Sequence, residues 1–147
     1  MKRAYDEVYL PMVVEEQGRF FESFQFTHPD RDGIALIAGY LRSGVRAALD
    51  RGDAWYLTLD AAHLRKVYFD QEKPAPGPGR PLTGFLPQWI GEFYALAQWY
   101  WNVPSRELVE RIPVADLCAV YPGAHDLDLR RAVEKLGRPV FDSGTAA

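Results

Sequence analysis

The sequence predicts an all-α protein, a compact bundle of six or seven helices around one central aromatic helix, with a Pro/Gly-rich loop set into it. Three observations carry this reading. Apolar residues recur at three- and four-residue spacing along much of the chain, which is the period of a helix with one buried face. Asp, Ser and Gly residues stand where such helices need caps. The stretch PQWIGEFYALAQWYWNV is apolar on almost every side, as a helix enclosed by others would be.

In chain order, Met12, Val13, Phe20, Phe21 and Phe24 form the apolar face of a first helix beginning near Pro11, with Gly18 weakening it. The segment from Thr27 to Asp53 reads as one helix capped by Asp30 or Asp32, stopped by Gly52, and striped by Ile34, Ile37, Leu41, Val45 and Ala48. A shorter helix starts at Thr58 or Asp60 and turns Leu64, Val67 and Tyr68 inward. The loop follows, in which Pro74, Pro76, Gly77, Pro78, Gly79 and Pro81 oppose both helix and sheet. Beyond it lie the central helix, from about Pro87 to Trp101 and burying Trp89, Phe93 and Trp101, a short helix from Ser105, another from Pro113 to Val120, and a last one capped by Asp126 or Asp128 and ended by Gly137. A short strand at 55–59 or 139–141 is the one departure from helix that the pattern allows. The expected organisation is a single domain over residues 1–140 with an exposed loop at 73–84, and a flexible tail at 141–147.

The composition narrows the function classes. At 147 residues, 48% hydrophobic and 25% charged, the chain has material for a folded core. Seventeen basic against 20 acidic residues give a net charge of -3, which disfavours general nucleic-acid binding. Cys118 is the only cysteine, so no internal disulfide and no cysteine metal finger can form. With no signal-peptide core and no membrane-length apolar run, the expected location is the cytoplasm.

Few residues point to chemistry. Arg42 and Arg46, four apart on the expected second helix, share a face and could clamp a phosphate or a carboxylate; equally, they could be structural arginines paired with Asp50 and Glu92. Glu92, in the most aromatic helix, could be desolvated into a general acid, or be neutralised by an arginine such as Arg42. His125, Asp126 and Asp128 suit a helix cap better than a metal site, because 126 and 128 point about 200° apart on a helix. The GxSxG, GxGxxG, P-loop, HExxH and CxxC patterns are missing. No catalytic residue, metal or cofactor is therefore assigned. Eight Phe, eight Tyr and four Trp exceed the needs of an ordinary helical core, and such residues dominate protein interfaces.

The elements WIGEFY, NVPSREL and YPGAHDLDL, with YLRSGVRAALDRGD upstream, together resemble a family of small helical bacterial proteins from toxin–antitoxin-type loci, often beside ADP-ribosyltransferase-like toxins. The resemblance implies an antitoxin-like or accessory role through contact with a partner protein, such as a toxin, and carries no active site. The expected function is a cytosolic protein-binding module, with Arg42, Arg46, Tyr56, Tyr68 and Tyr121 as partner contacts and self-association left open. The alternative is a small enzyme or nucleotide- or phosphate-binding protein using Arg42, Arg46 and Glu92.

Overall fold

The computed structural model describes residues 2–142, and these are helical with no strand among them. After a 3-10 turn at Glu7–Tyr9, capped by the Asp6 carboxylate on the Val8 amide, α1 runs Leu10–Thr27 with Pro11 in its first turn. The expected second helix is two helices, α2 (Gly33–Leu41) and α3 (Gly44–Asp50). Ser43 causes the break. Its backbone is extended, its hydroxyl donates to the Tyr40 carbonyl at 2.6 Å, and the same oxygen accepts from the Arg46 amide at 3.2 Å, which starts α3.

The strand expected at 55–59 is instead a one-turn helix, α4 (Ala54–Leu57), which Asp53 caps at the Trp55 amide. Asp60 caps α5 (Ala61–Glu72) as expected. The central helix α6 spans Leu86–Trp101, and α7 (Ser105–Arg111), α8 (Val114–Ala124) and α9 (Leu129–Gly137) follow close to the expected places. Helix α8 continues through Pro122 and Gly123 to Ala124, past the end expected at Val120. Residues Arg138–Asp142 form a π turn at the second expected strand, so neither strand is present. Of the expected tail, Phe141 packs its ring 5.8 Å from that of Trp101, and 143–147 lie outside the described residues.

Helices α1 and α6 make the most extensive pairing, and α6 also touches α7, α8 and α9, so the aromatic helix is the axis of the bundle. Two glycines allow the close approach: a Cβ on Gly91 would lie 2.6 Å from the Gln17 carbonyl oxygen, and one on Gly18 would lie 2.8 Å from the Glu92 side chain. Gly18, which weakens α1 as an isolated helix, is thus required by its packing. The buried apolar cluster draws on both sides of the loop, with Phe20, Phe21, Ile37 and Tyr40 from before it and Ile90, Phe93 and Leu108 from after it. Trp89 is buried with them; Trp101, expected inside, is half-buried, lying against Gly137 and donating from its indole to the Val133 carbonyl.

The Pro/Gly loop is exposed along most of its length and yet fastened down. Asp32 donates its amide to the Gly77 carbonyl, Gly33 to Arg80, and Gly79 to Asp30, each at 3.0 to 3.1 Å. These bonds tie its middle to the corner between α1 and α2.

Candidate functional site

The break at Ser43 determines what Arg42 and Arg46 do. Arg42 ends α2 and stays exposed, and its carbonyl oxygen accepts a hydrogen bond from the Arg106 guanidinium at 2.9 Å. Arg46, on the next helix, turns inward and is 0% exposed. The two do not form the paired face expected of one continuous helix.

Arg46 sits in a closed polar network. Its Nε donates to the Ser105 hydroxyl at 3.0 Å and lies 3.2 Å from Asp50 Oδ1. One terminal nitrogen donates to Gln17 Oε1 at 2.9 Å, and the other reaches Gln98 Oε1 at 3.4 Å. Asp50 in turn accepts from the Ser105 amide at 2.8 Å and from its hydroxyl at 2.7 Å, which anchors the start of α7. The Tyr5 and Tyr40 hydroxyls are buried beside the guanidinium without completing a hydrogen bond of normal geometry. Burial opposes the charge on Arg46, and Asp50 with the two tyrosines more than offsets that, so the group remains a cation. For both tyrosines burial is the largest influence and raises the hydroxyl pKa.

The recess beside Arg46 is about 10 Å³, close to the volume that one water needs. A phosphate does not fit. The network therefore joins α1, α3, α6 and α7, and of the two earlier readings the structural pairing of Arg46 with Asp50 is the one observed.

Glu92 lies elsewhere, against Gly18 of α1, where it accepts from the Gln88 amide at 3.3 Å. Burial raises its pKa, and the nearby Glu15 adds to the shift. No arginine pairs with it among the described residues, so Arg42, Arg46 and Glu92 do not converge on one pocket.

The tyrosines expected at an interface divide. Tyr68 is 1% exposed, sealed between Tyr40 at 5.2 Å and Phe69 at 5.1 Å, and burial holds its hydroxyl pKa up at about 12. As an accessible partner contact it is corrected, as is Arg46; both belong to the core. Tyr56 is half-buried beside the exposed Trp55, and Tyr121 is half-buried between Trp89 and His125. His125 Nδ1 lies 2.7 Å from the Tyr121 carbonyl oxygen, a local bond one turn back along α8. No group of metal-ligating side chains occurs among the described residues.

An accessible feature that the sequence reading missed runs between α8 and α9. Its middle is a recess of about 330 Å³ lined by Val120, Gly123, Ala124, Leu127, Ala132, Lys135 and Leu136. Leu127 and Lys135 also border a second recess of about 500 Å³, whose other walls include Arg131, Glu134 and Arg138. Val120 and Leu136 border a third, of about 350 Å³, reaching Arg111 and Val140. The shared residues make one open groove with an aliphatic floor. Gly123 lines it and is exposed, and a Cβ there would touch nothing within 4 Å. The available signal was the strong amphipathicity of LRRAVEKLG.

No protein-family model, curated protein or solved structure matches this chain.

Proposed function

We propose that this chain is a cytosolic protein-binding module, an antitoxin-like or accessory protein that occludes or positions a partner, of which a bacterial toxin is the leading candidate. The observation that carries the reading is the open groove across α8 and α9, apolar along its floor and charged along one rim. A concave aliphatic surface outside the core is what a partner side chain can fill. The exposed Trp55, with Tyr56 beside it, and the half-buried Tyr121 supply further aromatic surface, and Arg42 is free to meet a carboxylate.

The small-enzyme reading has less behind it, since its three residues stand apart and the arginine at its centre is enclosed. The test is comparative capture from native cells by the original chain and by Gly123→Leu, which fills the groove from a position where there is space. A specific partner recovered by the first and lost by the second, with equal thermal transitions, supports docking in the groove. A partner held equally by both, or a purified chain that binds nucleotide or turns over a substrate with no partner, replaces this reading.

A further inference from the structure

We infer that the occupant of the α8 and α9 groove is an acidic amphipathic helix of the partner protein, its apolar side on the aliphatic floor and its carboxylates on Arg131 and Lys135. This rests on the docking reading above and adds the chemistry of the ligand. Arg131 and Lys135 are exposed, one helical turn apart, and make no ion pair or hydrogen bond among the described residues. Unengaged cations one turn apart beside an apolar floor match carboxylates spaced one turn apart on a facing helix.

None of the neighbouring acidic groups is paired with Arg131 or Lys135 among the described residues. Glu134 and Asp142 lie 3.9 Å from Arg138, and Asp126 lies 3.4 Å from His125 Nε2. Asp116 is at the far end, in the third recess beside Arg111, and Asp128 precedes α9. With Asp142 counted beside Arg138, the wall carries three cations, Arg131, Lys135 and Arg138, against two carboxylates, Glu134 and Asp142, a local surplus of one positive charge on a chain whose net charge is -3.

Shape selects the form of the ligand. No strand is present among the described residues, so there is no sheet edge onto which an extended peptide could add. The three recesses have no aromatic side chain in their lining, which disfavours both polyproline docking and stacking of nucleic-acid bases. A trough between two helices with aliphatic side chains along it suits a third helix, read through side chains at i, i+3, i+4 and i+7.

The probe is a fluorescein-labelled synthetic helix with Leu at those four spacings and Glu on the flanking positions, compared with the same peptide carrying Lys for Glu. Anisotropy titrations on the intact chain are expected to show preference for the Glu peptide, weakening as salt is raised. The double variant Arg131→Glu with Lys135→Glu is expected to lose roughly tenfold or more in affinity for the Glu peptide, to gain affinity for the Lys peptide, and to keep its melting temperature. Equal binding of the two peptides, no binding of the Glu peptide, or displacement of it by a single-stranded oligonucleotide at comparable charge concentration would overturn the inference. Capture separates this failure from failure of docking itself. A partner lost with Gly123→Leu but kept by the double variant leaves the docking reading standing without the acidic occupant; a partner kept by both removes the groove from the account.

Discussion

Gly91 and Gln17 hold each other in two ways where α6 crosses α1. The missing side chain of Gly91 lets the Gln17 backbone come close enough that a methyl group would meet its carbonyl oxygen at 2.6 Å. The Gln17 side chain then donates to the Gly91 carbonyl at 2.8 Å, which leaves its own oxygen for Arg46. Helix packing and the polar network are therefore coupled through one residue pair.

Gly91→Ala is accordingly expected to destabilise by about 1–3 kcal/mol, through overpacking against backbone that cannot rotate away. Chemical denaturation measures this. The control is Gly123→Ala, also in a helix but facing open space, where a gain of up to about 1 kcal/mol is expected.

Arg46→Ala should cost about 3–5 kcal/mol, because it leaves Asp50, Gln17 and Gln98 without a shared donor inside the bundle. Arg42→Ala, at the exposed end of α2, is expected to change stability by no more than about 0.5 kcal/mol. Paired urea titrations would separate the two arginines, which sequence spacing had placed on one face.

Phe93 is fully buried and packs on Trp89 and Tyr94. Phe93→Ala is expected to lose about 3–5 kcal/mol. Phe85, 76% exposed at the start of α6, should lose less than about 1 kcal/mol when changed to Ser, and thermal melts of the two variants check the contrast.

Glu92 gives a pH signature. Burial, with Glu15 as a smaller contributor, raises its pKa in the folded chain above the ordinary carboxylate value of 4.5. Between the unfolded and folded values the native state binds more protons than the unfolded one, so this group makes stability fall as pH rises through that window and remain lower above it. Glu92→Gln keeps the side-chain shape, and is expected to flatten this part of the profile and to raise stability at pH 7 relative to the parent. Denaturation midpoints taken from pH 4 to pH 8 test the sign.

Much of the fold was legible because its signals are local. Asp32 and Asp60, each one of two candidates the sequence offered, cap α2 and α5, and the apolar run around Phe93 marked the axis of the bundle. Ser43 escaped notice because it interrupts a continuous apolar stripe, where a serine looks like one more surface position, and its effect comes from a hydroxyl bonded on both sides of itself. Once the helix breaks there, the 3.6-residue register that put Arg42 beside Arg46 no longer applies. The partners that enclose Arg46 come from positions 17, 98 and 105, so periodicity within one helix could not reveal them. On α9, nothing in the sequence pattern singles out Arg131 and Lys135; the recesses that border them are formed by the packing of α9 with α8 and with the turns on either side of it.

The carbonyl end of α6 has a consequence for the order in which the chain can be completed. Arg3 donates to the Trp99 and Tyr100 carbonyls and lies 4.4 Å over the Trp99 ring, the Trp99 indole donates to Tyr5, and Asn102 donates to Lys2. These partners are separated by 94 to 100 positions. At synthesis rates of about 5–20 residues per second, the leading segment waits roughly 5–20 s before the residues that receive it have been made. Throughout that interval Tyr5 has no Trp99 indole to meet, and the Gln17 and Gly18 side of α1 has no α6 to pack on. The newborn chain thus carries the α6-facing side of α1 uncovered until the sixth helix leaves the ribosome, which makes that interval the one in which a chaperone has most to hold.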